Sequence, residues 1–291
     1  NAERLNDEEV ENRINLNNEY QVIAIGGLIT TYKYLKWIIP KIKKLNPNSI
    51  IIAGGGVVTE SPTLLLSNTP TDFAIIGEAE LTIKELIYNL ENKLPINNIK
   101  GIAYKKENNI EISPPRPLIK NLDTLPLPAY DLFPTEIYLK NVAHGLIIGK
   151  KTEMGIITSR GCPYDCNYCY HIFGRGARTR SIDNVITHIK LLINKYNIDS
   201  IIILDETFTI NKKRVIKFCD TLISNNINIK WSCYARVNLV DLEMLKKMKK
   251  SGCYRVGYRI ESGSQLILNN MNKKVRVEQA RKAINLTRKA G

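Results

Sequence analysis

No cysteine occurs before residue 162 of this 291-residue chain, and all six lie in its second half. A disulfide framework spanning the fold is thereby excluded, and nothing else suggests a secreted protein. Long hydrophobic runs are also missing: none approaches the ~20 apolar residues that a membrane-spanning helix needs. The opening Asn1-Ala2-Glu3-Arg4-Leu5 and the acidic residues after it are unlike a signal peptide. A cytoplasmic, reducing setting is therefore expected for the thiols. Position 1 is not Met, so a fragment of a longer protein is expected. Internal repeats and low-complexity blocks are absent.

Acidic charge is scarce in one half only. Residues 1–150 hold 16 Lys+Arg and 17 Asp+Glu, whereas residues 151–291 hold 26 and 11. A basic half could attract an anionic substrate or RNA. Runs such as Lys246-Lys247-Met248-Lys249-Lys250 instead read as the solvated face of a helix. No aromatic-interleaved basic motif accompanies the charge, so nucleic acid is not an expected partner.

What is present is a tight cysteine triplet. Cys162, Cys166 and Cys169 stand in Ser159-Arg160-Gly161-Cys162-Pro163-Tyr164-Asp165-Cys166-Asn167-Tyr168-Cys169-Tyr170, a C-x3-C-x2-C spacing. Three thiolates on one loop can hold three irons of a [4Fe–4S] cluster and leave the fourth iron available to a ligand. Zinc held by the three cysteines with His171 is the alternative. Cys219, Cys233 and Cys253 fall in apolar segments and read as small core residues.

Around the triplet, strand and helix alternate four times. Met154–Ser159 reads as a strand entering the cysteine loop, and Ile182, Val185, Ile186, Ile189, Ile193 and Tyr196 share one helical face. Ser200–Asp205 is a buried strand, followed by a helix through Val215, Ile216, Cys219 and Leu222. Ile229–Arg236 is the third strand, Asp241–Ser251 a helix capped at Gly252, and Tyr254–Ile260 the fourth strand. A last helix spans about Val275–Lys289. This rhythm implies βα units with a parallel sheet, whose ligands bind at the carboxyl ends of the strands. The cysteine loop, Asp205 and Glu206, Arg236, and Glu261 and Ser262 fall at four successive strand ends.

The first half is a separate α/β unit of doubly wound character. Gln21–Gly26, Ser49–Ala53 and Asp72–Ile76 read as strands, and Tyr32–Leu45 as a helix kinked at Pro40. A second helix runs to about Leu90, and Lys100–Tyr104 with Ile110–Ile112 forms a hairpin. Glycines close two of the strands, at Gly26-Gly27 and Gly54-Gly55-Gly56, where backbone can approach a ligand. Residues 114–150 carry a dense set of prolines and are expected to form a stiff connector. The resulting partition is an α/β unit over 1–113, a linker over 114–150 and a second α/β unit over 151–291.

The triplet, with Arg178-Thr179-Arg180-Ser181, Leu204-Asp205-Glu206-Thr207-Phe208, Trp231–Val237 and Ile260-Glu261-Ser262-Gly263-Ser264, resembles the radical S-adenosylmethionine (radical SAM) superfamily. The resemblance implies a partial (β/α)6 barrel, here with its first four βα units, so that two further strands would lie beyond Gly291 and the exposed edge would cost stability. It implies a [4Fe–4S] cluster on Cys162, Cys166 and Cys169, and SAM chelated by the open iron and cleaved by one electron to a 5′-deoxyadenosyl radical. Tyr168, Glu261 and Ser262 are expected at SAM, as are Arg236, Asp205 and Glu206, although Leu-Asp-Glu stands where many members have Gly-Gly-Glu.

Residues 21–92 resemble the later half of the cobalamin-binding domain that precedes many radical SAM cores, as do Ile76–Thr82 and the linker Leu122–Pro134. Gly27, Leu28 and Thr30, with Gly54, Gly55 and Gly56, would line the cavity for the cobalamin tail, and a bulky side chain at Gly55 is expected to fill it. The Asp-x-His-x-x-Gly segment of His-ligating cobalamin proteins is not in the chain. The implied activity is cobalamin-dependent methyl transfer or oxidative cyclisation on a small molecule, fed by a low-potential donor of flavodoxin or ferredoxin type. No residue is assigned a catalytic role. An RNA-modifying radical SAM methylthiotransferase would suit the basic half, but such enzymes carry further cysteines in an N-terminal domain and residues 1–161 have none. A zinc-stabilised binding module is the non-enzymatic alternative.

Overall fold

A computed structural model describes residues 5–16, 19–107, 109–140 and 152–291. The chain divides into two compact units, Asn1–Ile119 and Lys120–Gly291. The boundary falls inside the expected connector, of which residues 141–150 lie outside the described residues.

The first unit opens with α1 (Asp7–Ile14). Asn6 starts it by accepting from Glu9 N, while the Glu9 carboxylate accepts from Asn6 N, a reciprocal capping box. β1 (Val22–Gly26), α2 (Tyr32–Leu45), β2 (Ile50–Gly54), α3 (Gly56–Glu60), α4 (Pro62–Asn68), β3 (Phe73–Ile75), α5 (Glu80–Glu91), β4 (Ile102–Lys106) and β5 (Asn109–Ile112) follow. The five strands form one sheet in chain order, with β1, β2 and β3 parallel and β4 and β5 antiparallel. Leu35, Ile38, Ile39 and Ile42 recur at helical spacing on α2 and share a core with Ile51, Ala53, Leu65 and Leu66. α2 continues through Pro40. The short helices α3 and α4 have too few turns to show a period in sequence and were not expected.

In the second unit α6 (Thr135–Lys140) precedes β6 (Glu153–Ile156), β7 (Ser159–Arg160), β8 (Arg178–Thr179), α7 (Ile182–Tyr196), β9 (Ser200–Ile203), α8 (Lys212–Ser224), β10 (Lys230–Ala235), α9 (Leu242–Lys250), β11 (Cys253–Tyr258), α10 (Gln265–Asn270) and α11 (Val277–Ala290). β6, β9, β10 and β11 make a four-stranded, wholly parallel sheet in the order β11-β10-β9-β6. Ser181, Asn211 and Asp241 start α7, α8 and α9 by accepting backbone N–H groups with their side chains. The helices bury their apolar faces around Phe208, Phe218 and Trp231, whose rings meet edge to face at 5.3–5.7 Å.

The first strand of this sheet ends earlier than expected. It stops at Ile156, and Ser159 belongs to β7, which pairs antiparallel with β8 and brackets the cysteine loop. Asp205 explains the break. Its carboxylate is 1% exposed and accepts from Thr158 N (2.6 Å), Thr158 Oγ1 (2.6 Å), Ser159 N (3.0 Å) and Ser159 Oγ (2.7 Å). Burial pushes this carboxyl up, and the hydrogen bonds oppose that.

The proline-rich stretch is not a free spacer where it is described. Ile119 N donates to Glu78 in the first unit. In the second, Asp123 accepts from Ser181 N and the Tyr130 hydroxyl lies 2.8 Å from His188 Nε2.

Two stability predictions follow from these buried groups. Asp205→Asn strands part of a four-donor arrangement and is expected to cost about 1–3 kcal/mol in urea unfolding; an unchanged midpoint would show the brace to be dispensable. His188 is lowered to about 4 by burial and by the Arg180 charge, against an unfolded value of about 6.5. The unfolded chain therefore takes up a proton that the folded state refuses. Stability is complete above about pH 6.5 and is lost as pH falls towards 4, by up to about 3 kcal/mol. Unfolding curves at neutral and acid pH should differ less for His188→Gln than for wild type by that amount.

Candidate functional site

The cysteine loop is held from several sides. Gly161 has φ +84°, and a Cβ there would lie 2.2 Å from Gly176 O, so only glycine fits this crossing. Cys162 bridges to Arg175, and Cys169 N donates to Cys166 O at 3.1 Å, which folds the loop on itself. Arg175 ion-pairs with Asp165 and donates to Tyr164 O. Asn167 N donates to Met271 O (3.1 Å), and Asn167 Nδ2 to Asn270 O (2.6 Å). The segment after α10 thus supports the loop although a hundred residues separate them in sequence.

Cys162, Cys166 and Cys169 line one cavity of about 150 Å³ together with Tyr168, Glu206, Arg236 and Glu261. The sheet order explains the meeting: Glu206 follows β9, Arg236 follows β10, and Glu261 follows β11, all parallel. Ligand sites gather at this edge of open α/β sheets. Arg236 Nη1 lies 3.7 Å from Cys166 Sγ, and its guanidinium sits 3.6 Å over the Tyr164 ring.

The carboxylates differ in environment. Burial pushes Glu206 up, against the opposing Gly161 N–H bond. Burial would also raise Glu261, but the hydrogen bond and charge of Lys273 outweigh it and hold Glu261 below the usual range. Burial and a hydrogen bond to Glu261 keep the Tyr168 hydroxyl well above its ordinary value. Burial and the neighbouring cysteines push Cys169 up. Glu206 Oε2 and His171 Nε2 are buried without a partner among the described residues. Both residues line the cavity, and unpaired polar atoms are costly unless a ligand satisfies them.

Two expected SAM residues do not line this cavity. The Asp205 oxygens accept from Thr158 and Ser159, so it braces the exit of the cysteine loop. Ser262 Oγ accepts from Ser264 N in the turn after β11. His171, Arg259 and Lys273 line the cavity but were not expected as SAM residues. Lys273 sits in Met271-Asn272-Lys273-Lys274, a stretch with no motif, so only the tertiary contact reveals it. Among the described residues no three His, Cys, Asp or Glu side chains are grouped to hold a single metal ion.

At the first unit's sheet edge, Gly26 and Gly54 are register partners, so both glycine turns leave the same edge. Gly55 has φ +85°, and a Cβ there would lie 2.7 Å from Gly27 O. A bulky residue at Gly55 would therefore break the turn pair itself rather than fill a ligand cavity, which corrects the expectation for that position. Gly27 faces Thr31 and Leu35, and Gly56 is buried at the start of α3. A Cβ at Gly54 would meet nothing within 4 Å. Leu28 and Thr30 are exposed.

Comparison with known proteins agrees with both halves. Residues 156–291 match the model of the radical SAM superfamily, and residues 1–87 match that of the B12 binding domain. The chain is 36% identical over 266 residues to an uncharacterized methyltransferase, PH0819, of Pyrococcus horikoshii, covering 90% of this chain and 56% of that protein. It is 28% identical over 257 residues to the anaerobic magnesium-protoporphyrin IX monomethyl ester cyclase of Rubrivivax gelatinosus, covering 86% and 45%. The chain thus spans about half the length of these curated relatives. Its fold matches the cobalamin-dependent S-adenosylmethionine radical enzyme OxsB, solved with aqua-cobalamin and S-adenosylmethionine bound, with a TM-score of 0.78 at 21% identity over 97% of this chain and 41% of that one. One polypeptide thus carries a match to the B12 binding domain followed by a match to the radical SAM superfamily, the order that its sequence resemblance implies.

Proposed function

We propose that this chain is the cofactor-binding part of a cobalamin-dependent radical SAM enzyme that performs methyl transfer or oxidative cyclisation on a small molecule. The observation that carries this reading is the single cavity on which three cysteines, Tyr168, Arg236 and Glu261 converge at the edge of a parallel sheet. The donor set fits a cluster: three thiols on one loop, with a guanidinium beside one of them. The unpartnered Glu206 Oε2 and His171 Nε2 fit a polar ligand in the same cavity. At the first unit's edge, the empty space over Gly54 fits the approach of a cobalamin tail to backbone.

When bound, the [4Fe–4S] cluster, SAM and cobalamin supply reductive SAM cleavage and methyl or redox chemistry, and the protein supplies orientation and electrostatics. Cys162, Cys166 and Cys169 would hold the cluster. Arg236 donates toward Cys166 and, anchored by the Tyr164 ring, keeps a positive charge there. Tyr168 and Glu261 present a protonated hydroxyl and an ionised carboxylate to the same cavity as the thiols. Held by Lys273, the carboxylate keeps lone pairs able to accept from a ligand amine. Glu206 lines the same cavity from the end of β9. The Asp205 brace fixes where the loop leaves the sheet. Methyl transfer and cyclisation stand as equals, since PH0819 is named a methyltransferase and the Rubrivivax gelatinosus protein a cyclase. A low-potential flavodoxin or ferredoxin and a reducing cytoplasmic setting suit this chemistry.

Anaerobic reconstitution tests the cluster. Wild type should hold about four irons per chain, and Cys162→Ala, Cys166→Ala or Cys169→Ala should abolish the cluster. Cys219 is buried and its thiol is pushed up to about 12, so Cys219→Ala should keep the iron; equal loss from that control would sink the assignment. Cobalamin is tested separately by absorbance titration under reducing conditions. Gly54→Leu projects into open space and should weaken binding about tenfold or more while leaving the melting curve intact. Wild-type-like binding by that variant would remove the first unit's sheet edge from the proposal.

A further inference from the structure

Lys273 is 4% exposed, a rare burial for a lysine unless it is paired. Its Nζ donates to the Tyr168 hydroxyl at 2.7 Å and to Glu261 Oε1 at 3.1 Å. One ammonium thus joins the residue before the third cysteine to the residue after the fourth parallel strand. Its own backbone is also engaged, since Lys273 O accepts from Arg236 Nη2, the guanidinium beside Cys166. The flanking residues lock the same connection: Asn272 Nδ2 donates to Asp165 O at 2.8 Å, and Lys274 pairs with Asp165 at 3.4 Å. Glu261 itself sits at φ +71°. A non-glycine residue is strained there and persists only where its surroundings hold it.

We propose that Lys273 is a positioning residue of the SAM half of the cavity, holding the Tyr168 hydroxyl and the Glu261 carboxylate in one arrangement that receives the ligand. This rests on the radical SAM reading above. Without the ammonium, Tyr168 loses the donor to its oxygen, and Glu261 loses the ion pair opposing its strained backbone. Both groups would then sample other orientations, and SAM would bear the cost of ordering them. An ammonium with three donors has two engaged here, which leaves one for the ligand in the cavity that Lys273 lines.

The test compares Lys273→Met and Lys273→Arg with wild type in anaerobically reconstituted protein. Iron content, SAM affinity by equilibrium dialysis, and the change that SAM produces in the electron paramagnetic resonance spectrum of the reduced cluster are measured. Lys273→Met should retain its iron but bind SAM about tenfold to a hundredfold more weakly, with the spectral change diminished; Lys273→Arg should recover part of both. A merely structural role would lower iron content and melting temperature together and leave the SAM-induced spectral change of the remaining cluster intact, and that result would overturn the proposal. So would Lys273→Met binding SAM as wild type does. If Lys273→Met does not fold, Tyr168→Phe decides, because it removes only the hydroxyl that the ammonium holds: weaker SAM binding supports the proposal and unchanged binding overturns it. Wild type that takes up the cluster but binds no SAM would overturn the radical SAM reading and this inference together, whereas normal wild-type binding with no effect of the substitutions overturns this inference alone.

Discussion

The buried Asp205 carboxylate ties the end of one parallel strand to the exit of the cysteine loop from its neighbour, and the geometry of the candidate site depends on that tie. A carboxylate removed from water needs several donors. It finds them in two consecutive residues, Thr158 and Ser159, through both backbone and hydroxyl groups. That demand ends the strand at Ile156 and sends the chain into β7, so the three cysteines leave the sheet at a set angle. Arg214 closes the arrangement from the helix side by donating to Thr158 O and Arg180 O.

The cavity above this brace is built by cations placed among anions. Arg236 faces a cysteine sulfur, and Lys273 faces a tyrosine and a carboxylate. Both are buried, and buried charges are retained only when paired and hydrogen-bonded. The side chains of a parallel sheet's carboxyl edge come from segments far apart in sequence, so each pair also joins elements. Arg236 connects β10 with the cysteine loop and the segment after α10, and Lys273 connects that segment with the loop and the end of β11. Structural support and ligand preparation are served by the same contacts.

In the first unit the equivalent edge is built from backbone. Gly26 and Gly54 are register partners, and the turns after them touch so closely that Gly55 has no room for a side chain. Two glycines with similar sequence signals therefore do different work. Gly55 lets the turns pack, whereas Gly54 leaves space outside.

The triplet spacing, the alternation of strands and helices, and the apolar positions of α7 and α8 were legible in sequence because each rests on local rules: ligand number on one loop, and period 2 against period 3.6. Strand ends identified Glu206, Arg236 and Glu261 for the same reason, since topology alone sends them to one edge. Tertiary structure decided the rest. Asp205 and Glu206 are neighbours in sequence, yet one lies beneath the loop and the other lines the cavity, because successive residues leaving a strand face opposite ways. Lys273 joined the site only through contacts with Tyr168 and Glu261 that span up to 105 positions. No local pattern encodes such a contact, because it exists only once the parallel strands have set the distance between the cysteine loop and the segment after α10.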